Sequence, residues 1–262
     1  MRFRSLGSGS TGNATLVEAR SGSGGNNATR VLLDCGFSLR ELEARLLGED
    51  LVPADLSAVF ITHEHGDHVG CALTLARKHR VPLWMSRGTW RALGEPELPE
   101  LIRFARDGAH IDVGHLQLQP YTVPHDAQEP LQICFTDGST RLGVLTDVGM
   151  ATEHLLAHLQ NCQALLLECN HDSDLLARSR YPESLKRRIA GRLGHLSNEA
   201  SARILAACVH DGLRDVVAAH LSEQNNRPDL ALAALAESAA AYGVELRAAS
   251  ATSGFDWIEV RA

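Results

Sequence analysis

The sequence predicts a layered α/β sandwich, in which strands form stacked sheets and helices cover the outer faces. Three observations favour this fold class. Short apolar runs rich in β-branched residues recur along all 262 residues, and helical patterns alternate irregularly with them. No repeat and no linker-like segment interrupts this pattern. Several of the apolar runs end at a histidine or an aspartate, which suggests one functional edge. We therefore expect one domain over residues 1–262.

The composition excludes several classes of protein. Hydrophobic residues make up 44% of the chain and charged residues 22%, which is typical of a globular protein. No apolar run is long enough for a membrane span, and the first residues lack the apolar stretch of a signal peptide. The six cysteines include no Cys-x-x-Cys pair, so we expect reduced thiols in a cytoplasmic protein. The net charge of −7 provides no general basic surface for nucleic acid.

The expected strands are short apolar or alternating runs bounded by turn-forming residues. Two of them, at residues 131–135 and 141–145, flank a polar turn with Gly138 and form a hairpin. Residues 21–27 are rich in glycine, serine and asparagine, and we interpret them only as a mobile connection. In chain order, strands are predicted at residues 2–6, 14–19, 31–36, 59–62, 81–85, 101–104, 116–123, 131–135, 141–145, 164–172, 215–219, 244–248 and 256–260.

The expected helices are marked by capping residues and by apolar spacings of three and four. Ser38 caps a helix that ends near Leu47, and the apolar pattern over residues 69–79 indicates one further helix. Pro228 opens an Ala/Leu-rich helix that ends at Gly243. Other helices are predicted near residues 87–93, 152–159 and 197–210.

A loop dense in metal-ligating side chains follows the buried strand at residues 59–62. It carries His63, His65, Asp67 and His68 within six positions. A loop at a strand end presents such side chains toward one point, and imidazole together with carboxylate suits zinc and its first-row neighbours. The spacing His-x-His-x-Asp-His therefore predicts a metal site.

Three more predicted strands end at a candidate ligand, namely His125, Asp147 and His220. Side chains delivered by strand-end loops along one edge of a sheet converge, so we expect these residues near the histidine loop. Asp34 lies near the end of the predicted strand at residues 31–36, one strand before the histidine loop. We expect Asp34 to orient the loop rather than to bind metal.

A basic segment at residues 178–192 carries six arginines and lysines against one glutamate in an acidic protein. A solvated helix face is one explanation. The segment leads, however, into residues 194–198, where Ser197 or Asn198 is expected to cap a helix. A helix N-terminus beside arginines suits a phosphate, so Arg188 and Arg192 are candidate substrate contacts.

Other histidines receive a simpler interpretation. His154 and His158 stand four positions apart on a predicted helix, a spacing that can bind a metal. No third ligand is evident in the sequence, so a solvated helix face is favoured. His110 and His115 lie among polar turns and are expected at the surface.

The histidine loop and the strand-end ligands together resemble the metallo-β-lactamase fold, the αββα sandwich of many metallo-hydrolases. The resemblance extends over essentially the whole chain. Within this fold the sequence most resembles the WalJ/YycJ group of small bacterial hydrolases, which is related to the nuclease branch that includes tRNase Z and RNase J. The segments that carry this closer resemblance are residues 8–13, 168–172, 194–198 and 220–226.

The resemblance implies two divalent metal ions, with zinc or manganese expected and iron also compatible. The first ion would be bound by His63, His65 and His125. The second would be bound by Asp67, His68 and His220, and Asp147 would bridge both ions. The residues expected to support these ligands or to contact substrate are Asp34, His171, Ser197, Asn198, Ser222, Asn225, Arg188 and Arg192. For His171, a supporting role and a simple surface turn are both open.

We hypothesise that the chain hydrolyses phosphodiesters. Paired metals make hydroxide available near neutral pH and stabilise an in-line displacement, so metal-bound hydroxide would attack phosphorus. Asp67 would assist proton transfer, His195 would protonate the leaving oxygen, and Glu168 would orient or charge His195. His195 could instead contact a phosphate or be a turn residue. The expected substrate is nucleic acid, either single-stranded DNA or RNA. Degradation from an end and internal cleavage are both open.

Three other interpretations remain open. A small-molecule hydrolase acting on a lactone, thioester or cyclic phosphodiester needs the same metals, although the basic segment favours phosphate. An iron-dependent redox enzyme fits the histidine loop less well. A non-catalytic binding module would not need the complete ligand set. The specificities of tRNase Z and RNase J are not expected, because only 21 residues separate His125 from Asp147 and the chain has no room for a second domain.

Overall fold

The described residues form two seven-stranded sheets, each antiparallel on one side and parallel on the other. The computed structural model that shows them describes residues 1–20 and 28–262, so the connection expected at residues 21–27 lies outside the described residues. The first sheet has the order β14 (Phe255–Glu259), β1 (Arg2–Gly7), β2 (Ala14–Arg20), β3 (Ala28–Leu33), β4 (Ala58–Phe60), β5 (Leu83–Met85) and β6 (Ile102–Phe104). The second has the order β13 (Glu245–Ala248), β12 (Asp215–Ala219), β11 (Ala164–Glu168), β10 (Arg141–Leu145), β9 (Leu131–Thr136), β8 (Leu116–Thr122) and β7 (Ile111–Val113).

The helices follow the capping signals of the sequence. Ser38 accepts the Glu41 N–H at 3.3 Å and caps the first helix. Ser197, rather than Asn198, caps the eighth helix through the Ala200 N–H at 3.2 Å. In chain order the helices are α1 (Leu39–Leu47), α2 (Gly66–Val69), α3 (Ala72–His79), α4 (Arg87–Ala92), α5 (Glu153–Leu159), α6 (Ser173–Arg178), α7 (Glu183–Ile189), α8 (Asn198–Cys208) and α9 (Pro228–Ala240). Within the described ranges, no helix combines the length and the apolar character that crossing a membrane requires.

Three apolar layers hold the sheets and helices together. The central layer joins the two sheets through residues such as Phe3, Val31 and Ile133, which are fully buried. A second layer packs α5, α8 and α9 onto one sheet, and a third packs α1 and α3 onto the other. The order helix, sheet, sheet, helix confirms the predicted αββα sandwich.

The sequence prediction of one helix over residues 69–79 was wrong, since α2 and α3 are separate. Gly70 adopts a φ of +30°, and a Cβ at this position would overlap the carbonyl oxygen of Cys35. The chain therefore turns at Gly70, and the separate helical turn α2 before it carries Asp67 and His68. The strand β7 and the helix α6 were also missed, because segments of three and six residues show little periodicity.

The carboxyl ends of several strands meet at one edge of the sandwich. Three strand-end residues there, Asp34, Asp147 and His220, have left-handed backbone, with φ of 60°, 53° and 54°. Aspartate and histidine tolerate this conformation better than most residues, although it costs conformational energy. The backbone thus turns sharply where the strands β3, β10 and β12 end, and it aims these side chains at a common point.

Candidate metal centre

The first cluster at this edge consists of three imidazoles. His63 and His65 follow β4, and His125 follows β8. The Nδ1 atom of His65 lies 3.0 Å from His63 Nε2 and 3.3 Å from His125 Nε2. His63 and His125 are buried, whereas His65 is partly exposed. Three imidazole nitrogens that face one another at this spacing suit one divalent ion such as zinc.

The second cluster combines a carboxylate with two imidazoles. Asp67 and His68 lie on α2, and His220 follows β12. The Oδ2 atom of Asp67 lies 3.5 Å from His68 Nε2 and 3.4 Å from His220 Nε2. The three ligand atoms all lie within 4.8 Å of one another. This donor set also suits a divalent transition metal.

Asp147 lies between the second cluster and the first. Its Oδ2 atom is 2.7 Å from His68 Nε2, and its Oδ1 atom is 3.4 Å from His220 Nδ1. A group of His63, His68 and Asp147 also brings three ligand atoms within 4.8 Å. The Oδ2 atom is buried, and its close contact with His68 Nε2 lacks the alignment of a hydrogen bond. A buried carboxylate oxygen without a donor is costly, and a shared cation would satisfy it, so the donor set fits the metals.

The ring nitrogens that face away from the cluster are held by other groups. His68 Nδ1 lies 2.8 Å from Asp34 Oδ2, and Asp34 Oδ1 accepts the Thr62 N–H at 2.9 Å. His125 Nδ1 lies 3.1 Å from the Gly194 carbonyl oxygen. Such partners fix the orientation of a metal-ligating imidazole. Asp34 therefore lies where its expected supporting role requires.

Burial and neighbouring charges shift the pKa values in opposite directions within the site. Burial holds the pKa of His63 well below its usual range and also lowers the pKa of His125. Burial alone would lower the pKa of His220, but Asp147 and the adjacent carboxylates raise it to about 10. Against the effect of burial, its imidazole neighbours hold the pKa of Asp67 well below its usual range. Ionised carboxylates among imidazoles attract a cation, which replaces the bound protons.

His195 and Glu168 form a pair beside these clusters. His195 Nδ1 lies 2.7 Å from Glu168 Oε1, and the buried Glu168 also accepts the Val148 N–H at 2.9 Å. Despite burial, Glu168 raises the pKa of His195, and His195 lowers that of Glu168. By distance alone, Asp147 and His220 together with this pair could hold a metal ion. We interpret the pair as a hydrogen-bonded dyad, because His195 Nδ1 and Glu168 Oε1 are already within bonding distance of each other.

A small cavity of about 170 Å³ opens beside the first cluster, and His65, Asp126, Arg188 and His195 contribute to its wall. The Nε atom of Arg188 donates to Asp126 Oδ2 at 2.8 Å, and its side chain is 65% exposed. Arg188 therefore retains N–H groups that point to solvent. The Nε atom of Arg192 instead lies 3.2 Å from the sulfur of Met150, outside the lining of this cavity.

The other predicted supporting residues make contacts within the protein. Ser222 Oγ accepts the Asn225 N–H at 3.2 Å and shapes the turn after His220. The side-chain amide of Asn198 donates to Asn226 Oδ1 at 3.0 Å. His171 is buried, so the surface-turn alternative for it was wrong. Among the described residues, His171 Nδ1 and Asn225 Oδ1 have no hydrogen-bond partner.

Two residues outside the predicted site, Asn13 and Ser8, contact the second cluster, and both lie in the segment of residues 8–13. The Asn13 backbone N–H donates to the Asp67 carbonyl oxygen at 2.8 Å, and its side-chain amide lies 3.2 Å from His68 Nε2. The Ser8 hydroxyl accepts the His220 N–H at 2.9 Å. The loop between β1 and β2 therefore clamps the second cluster. Only the motif at residues 8–13 signalled this, since the contacts span up to 212 positions.

Replacing Gly36 with alanine is expected to destabilise the protein by about 3 kcal/mol or more. A Cβ at Gly36 would overlap the carbonyl oxygen of Asp67 and approach the Asn13 nitrogen to 2.7 Å. Both neighbours are backbone atoms, so the loop itself must move. Denaturant unfolding measures the change. Gly66→Ala is the control, because its Cβ meets no atom within 4 Å, and equal losses in both variants would contradict the prediction.

Comparison with known proteins assigns the chain to a family. The model of the beta-lactamase superfamily domain matches residues 29–220. The chain belongs to the β-lactamase superfamily. It is 32% identical over 234 residues to Exodeoxyribonuclease YycJ of Bacillus anthracis, covering 88% of this chain and 86% of that protein. It is 31% identical over 236 residues to Exodeoxyribonuclease WalJ of Streptococcus pneumoniae strain D39, covering 88% and 85%.

A solved structure of the superfamily has the same fold. The metallo-β-lactamase fold protein YhfI of Bacillus subtilis superposes with a TM-score of 0.72, at 17% identity, and the match covers 98% of this chain and 99% of that one. The expected family, the closer likeness to WalJ and YycJ and the status of a hydrolase are confirmed. The superfamily implies divalent metal ions, and the clusters of histidine and aspartate supply ligands for them.

Proposed function

We propose that this protein is a nuclease that uses two divalent metal ions, zinc or manganese, to hydrolyse single-stranded nucleic acid from an end, with DNA as the first substrate to test. The observation that carries the proposal is the convergence of two three-ligand clusters on Asp147, with the His195–Glu168 dyad beside them. The exodeoxyribonucleases YycJ and WalJ, at 32% and 31% identity, support a DNA substrate.

The side chains have distinct roles in this proposal. Bound as a pair, the two metals supply hydroxide near neutral pH and stabilise an in-line displacement at phosphorus. Asp67 would assist proton transfer from the attacking water, while its Oδ2 atom faces both His68 and His220 as part of the second cluster. Glu168 binds His195 at Nδ1, so Nε2 of the same ring is left to donate a proton to the leaving oxygen.

The cavity beside the first cluster offers a place for a phosphate of the substrate. Its volume of about 170 Å³ is enough for one phosphate group. Arg188 borders this cavity and offers a planar donor group for phosphate oxygens. The acidic net charge of −7 is then no obstacle, because substrate binding depends on a local group of charges.

A time course on end-labelled single-stranded DNA and RNA, with zinc or manganese added, tests this function. Metal-dependent degradation is expected for the native protein and is expected to disappear in Asp67→Ala. The control is Asp256→Ala, which removes a carboxylate from a fully exposed side chain. The ladder of products shows whether degradation starts from an end. Intact nucleic acid with a folded, metal-loaded protein would overturn the nuclease proposal and favour small esters or cyclic phosphodiesters as substrates.

Two further proposals concern the chain as a whole. We propose that residues 1–262 act as one domain, which the central apolar layer between the sheets supports. We also propose a cytoplasmic location, which the six buried cysteines support, since all of them are free thiols.

A further inference from the structure

A second group of metal-ligand side chains lies outside the candidate metal centre. It comprises Asp107, from the turn after β6, with His154 and His158 on one face of α5. One ligand atom from each residue lies within 4.8 Å of the others. His154 Nε2 is 2.8 Å from Asp107 Oδ1, and the two imidazole centroids are 4.8 Å apart. The tertiary structure thus supplies the third ligand that the sequence did not reveal.

The strand β8 holds two of these three side chains in place. Asp107 Oδ1 accepts the Thr122 N–H at 2.9 Å. The ring of His158 stacks on Tyr121, with centroids 4.7 Å apart and planes 9° from parallel. Tyr121 is itself buried, and its hydroxyl donates to the Val144 carbonyl oxygen at 2.6 Å. Ligands held by neighbouring groups lose little conformational freedom when they bind an ion.

The protonation states also suit a cation. Burial is the main cause that lowers the pKa of His158, and the neighbouring His154 lowers it further. Although burial acts against it, the Thr122 N–H and His154 lower the pKa of Asp107. A neutral imidazole and an ionised carboxylate are the forms that bind metal. The positive charge of Arg141 acts against cation binding here. Its guanidinium, however, donates at 3.2 Å to the backbone carbonyl of His158 and not to the imidazole ring.

We propose that Asp107, His154 and His158 form a separate binding site for one zinc-like divalent ion. Two imidazoles and one carboxylate are a common zinc set, with a fourth position left for water. Around tetrahedral zinc, ligand atoms lie about 3.3 Å apart, so small side-chain rotations close the site. The side chains of His154 and Asp107 are 46% and 43% exposed, which leaves the ion a path from solvent.

An ion at this site would connect two segments that lead to the candidate metal centre. His125 follows three residues after the end of β8, and α5 begins six residues after Asp147. Because the ion binds the folded chain and not the unfolded one, zinc is expected to raise the midpoint of thermal unfolding. The proposal does not depend on the nuclease function, since it concerns metal binding alone.

Equilibrium dialysis of the chelator-stripped full chain against buffered free zinc tests the site. His158→Gln and Asp107→Asn are each expected to bind one zinc ion fewer per chain than the native protein, with hydrolytic activity at the candidate metal centre unchanged. His115→Gln is the matched control, because it removes an exposed histidine outside the group and should keep the full amount of zinc.

The stability of the same variants gives a second readout. The zinc-induced rise in the unfolding midpoint should be smaller in His158→Gln than in His115→Gln. Equal zinc contents in the native protein, His158→Gln and Asp107→Asn would overturn the proposal. Loss of zinc in His115→Gln to the same extent as in His158→Gln would also overturn it, since the ion would then bind surface histidines in general. Neither result depends on whether nucleic acid is cleaved.

Discussion

Replacing Asp147 with asparagine is expected to release metal from the candidate centre and to lower phosphodiester hydrolysis roughly 10³-fold or more. Asp147 Oδ2 is buried, and it lies 2.7 Å from His68 Nε2 without the alignment of a hydrogen bond. Asparagine keeps the size of the side chain but removes its negative charge. In a buried site, that charge contributes several kcal/mol to holding a divalent ion. Metal content and turnover on a single-stranded oligonucleotide measure the effect.

A buried carboxylate elsewhere separates loss of metal from loss of stability. Asp215 begins β12, at the opposite end from His220, and its carboxylate binds Arg247 and Arg261. Asp215→Asn should lower the unfolding free energy, because it leaves the half-exposed side chains of Arg247 and Arg261 without their shared carboxylate, but it should retain the metals. If Asp147→Asn and the native protein held equal amounts of metal, Asp147 would not be a shared ligand.

Replacing His195 with alanine is expected to lower turnover about 10²- to 10⁴-fold while the metals stay bound, as the loss of a general acid does. Its Nδ1 lies 2.7 Å from the buried Glu168, and this contact places the ring at the edge of the cavity. Single-turnover rates and metal content, measured on the same preparation, check the prediction. Loss of metal in His195→Ala would show instead that His195 is a ligand.

The pH dependence of the rate distinguishes an acid from a purely structural histidine. Although burial opposes it, Glu168 raises the pKa of His195, so the protonated ring persists above the usual pH range of histidine. A general acid must be protonated, and the rate should therefore fall as the pH rises through this elevated pKa. In Glu168→Gln the fall should begin at lower pH. The control Glu199→Gln changes an exposed residue on α8 and should leave the profile unchanged.

The sequence determined the chemistry of the centre because its main motif is local. Four candidate ligands stand within six positions after one buried strand, so their spacing alone predicts that they share a site. The distant candidate ligands His125, Asp147 and His220 could be predicted from the sequence because each follows a strand, and strand ends meet at one edge. The family resemblance supplied their expected grouping, and which of them bind metal stays a prediction.

Tertiary structure decided what depends on contacts between distant segments. Ser8 and Asn13 hold His220 and Asp67, and no local pattern links residues so far apart. Asp107 meets His154 across 47 positions, so the sequence alone left that histidine pair without a third ligand. The break between α2 and α3 arises because Gly70 packs against the backbone of Cys35. The periodicity of apolar residues along a helix cannot predict such a contact. The periodicity of apolar residues indicates which face of a helix or strand is buried. It does not indicate which other element that face packs against, because this contact forms only in the assembled tertiary structure.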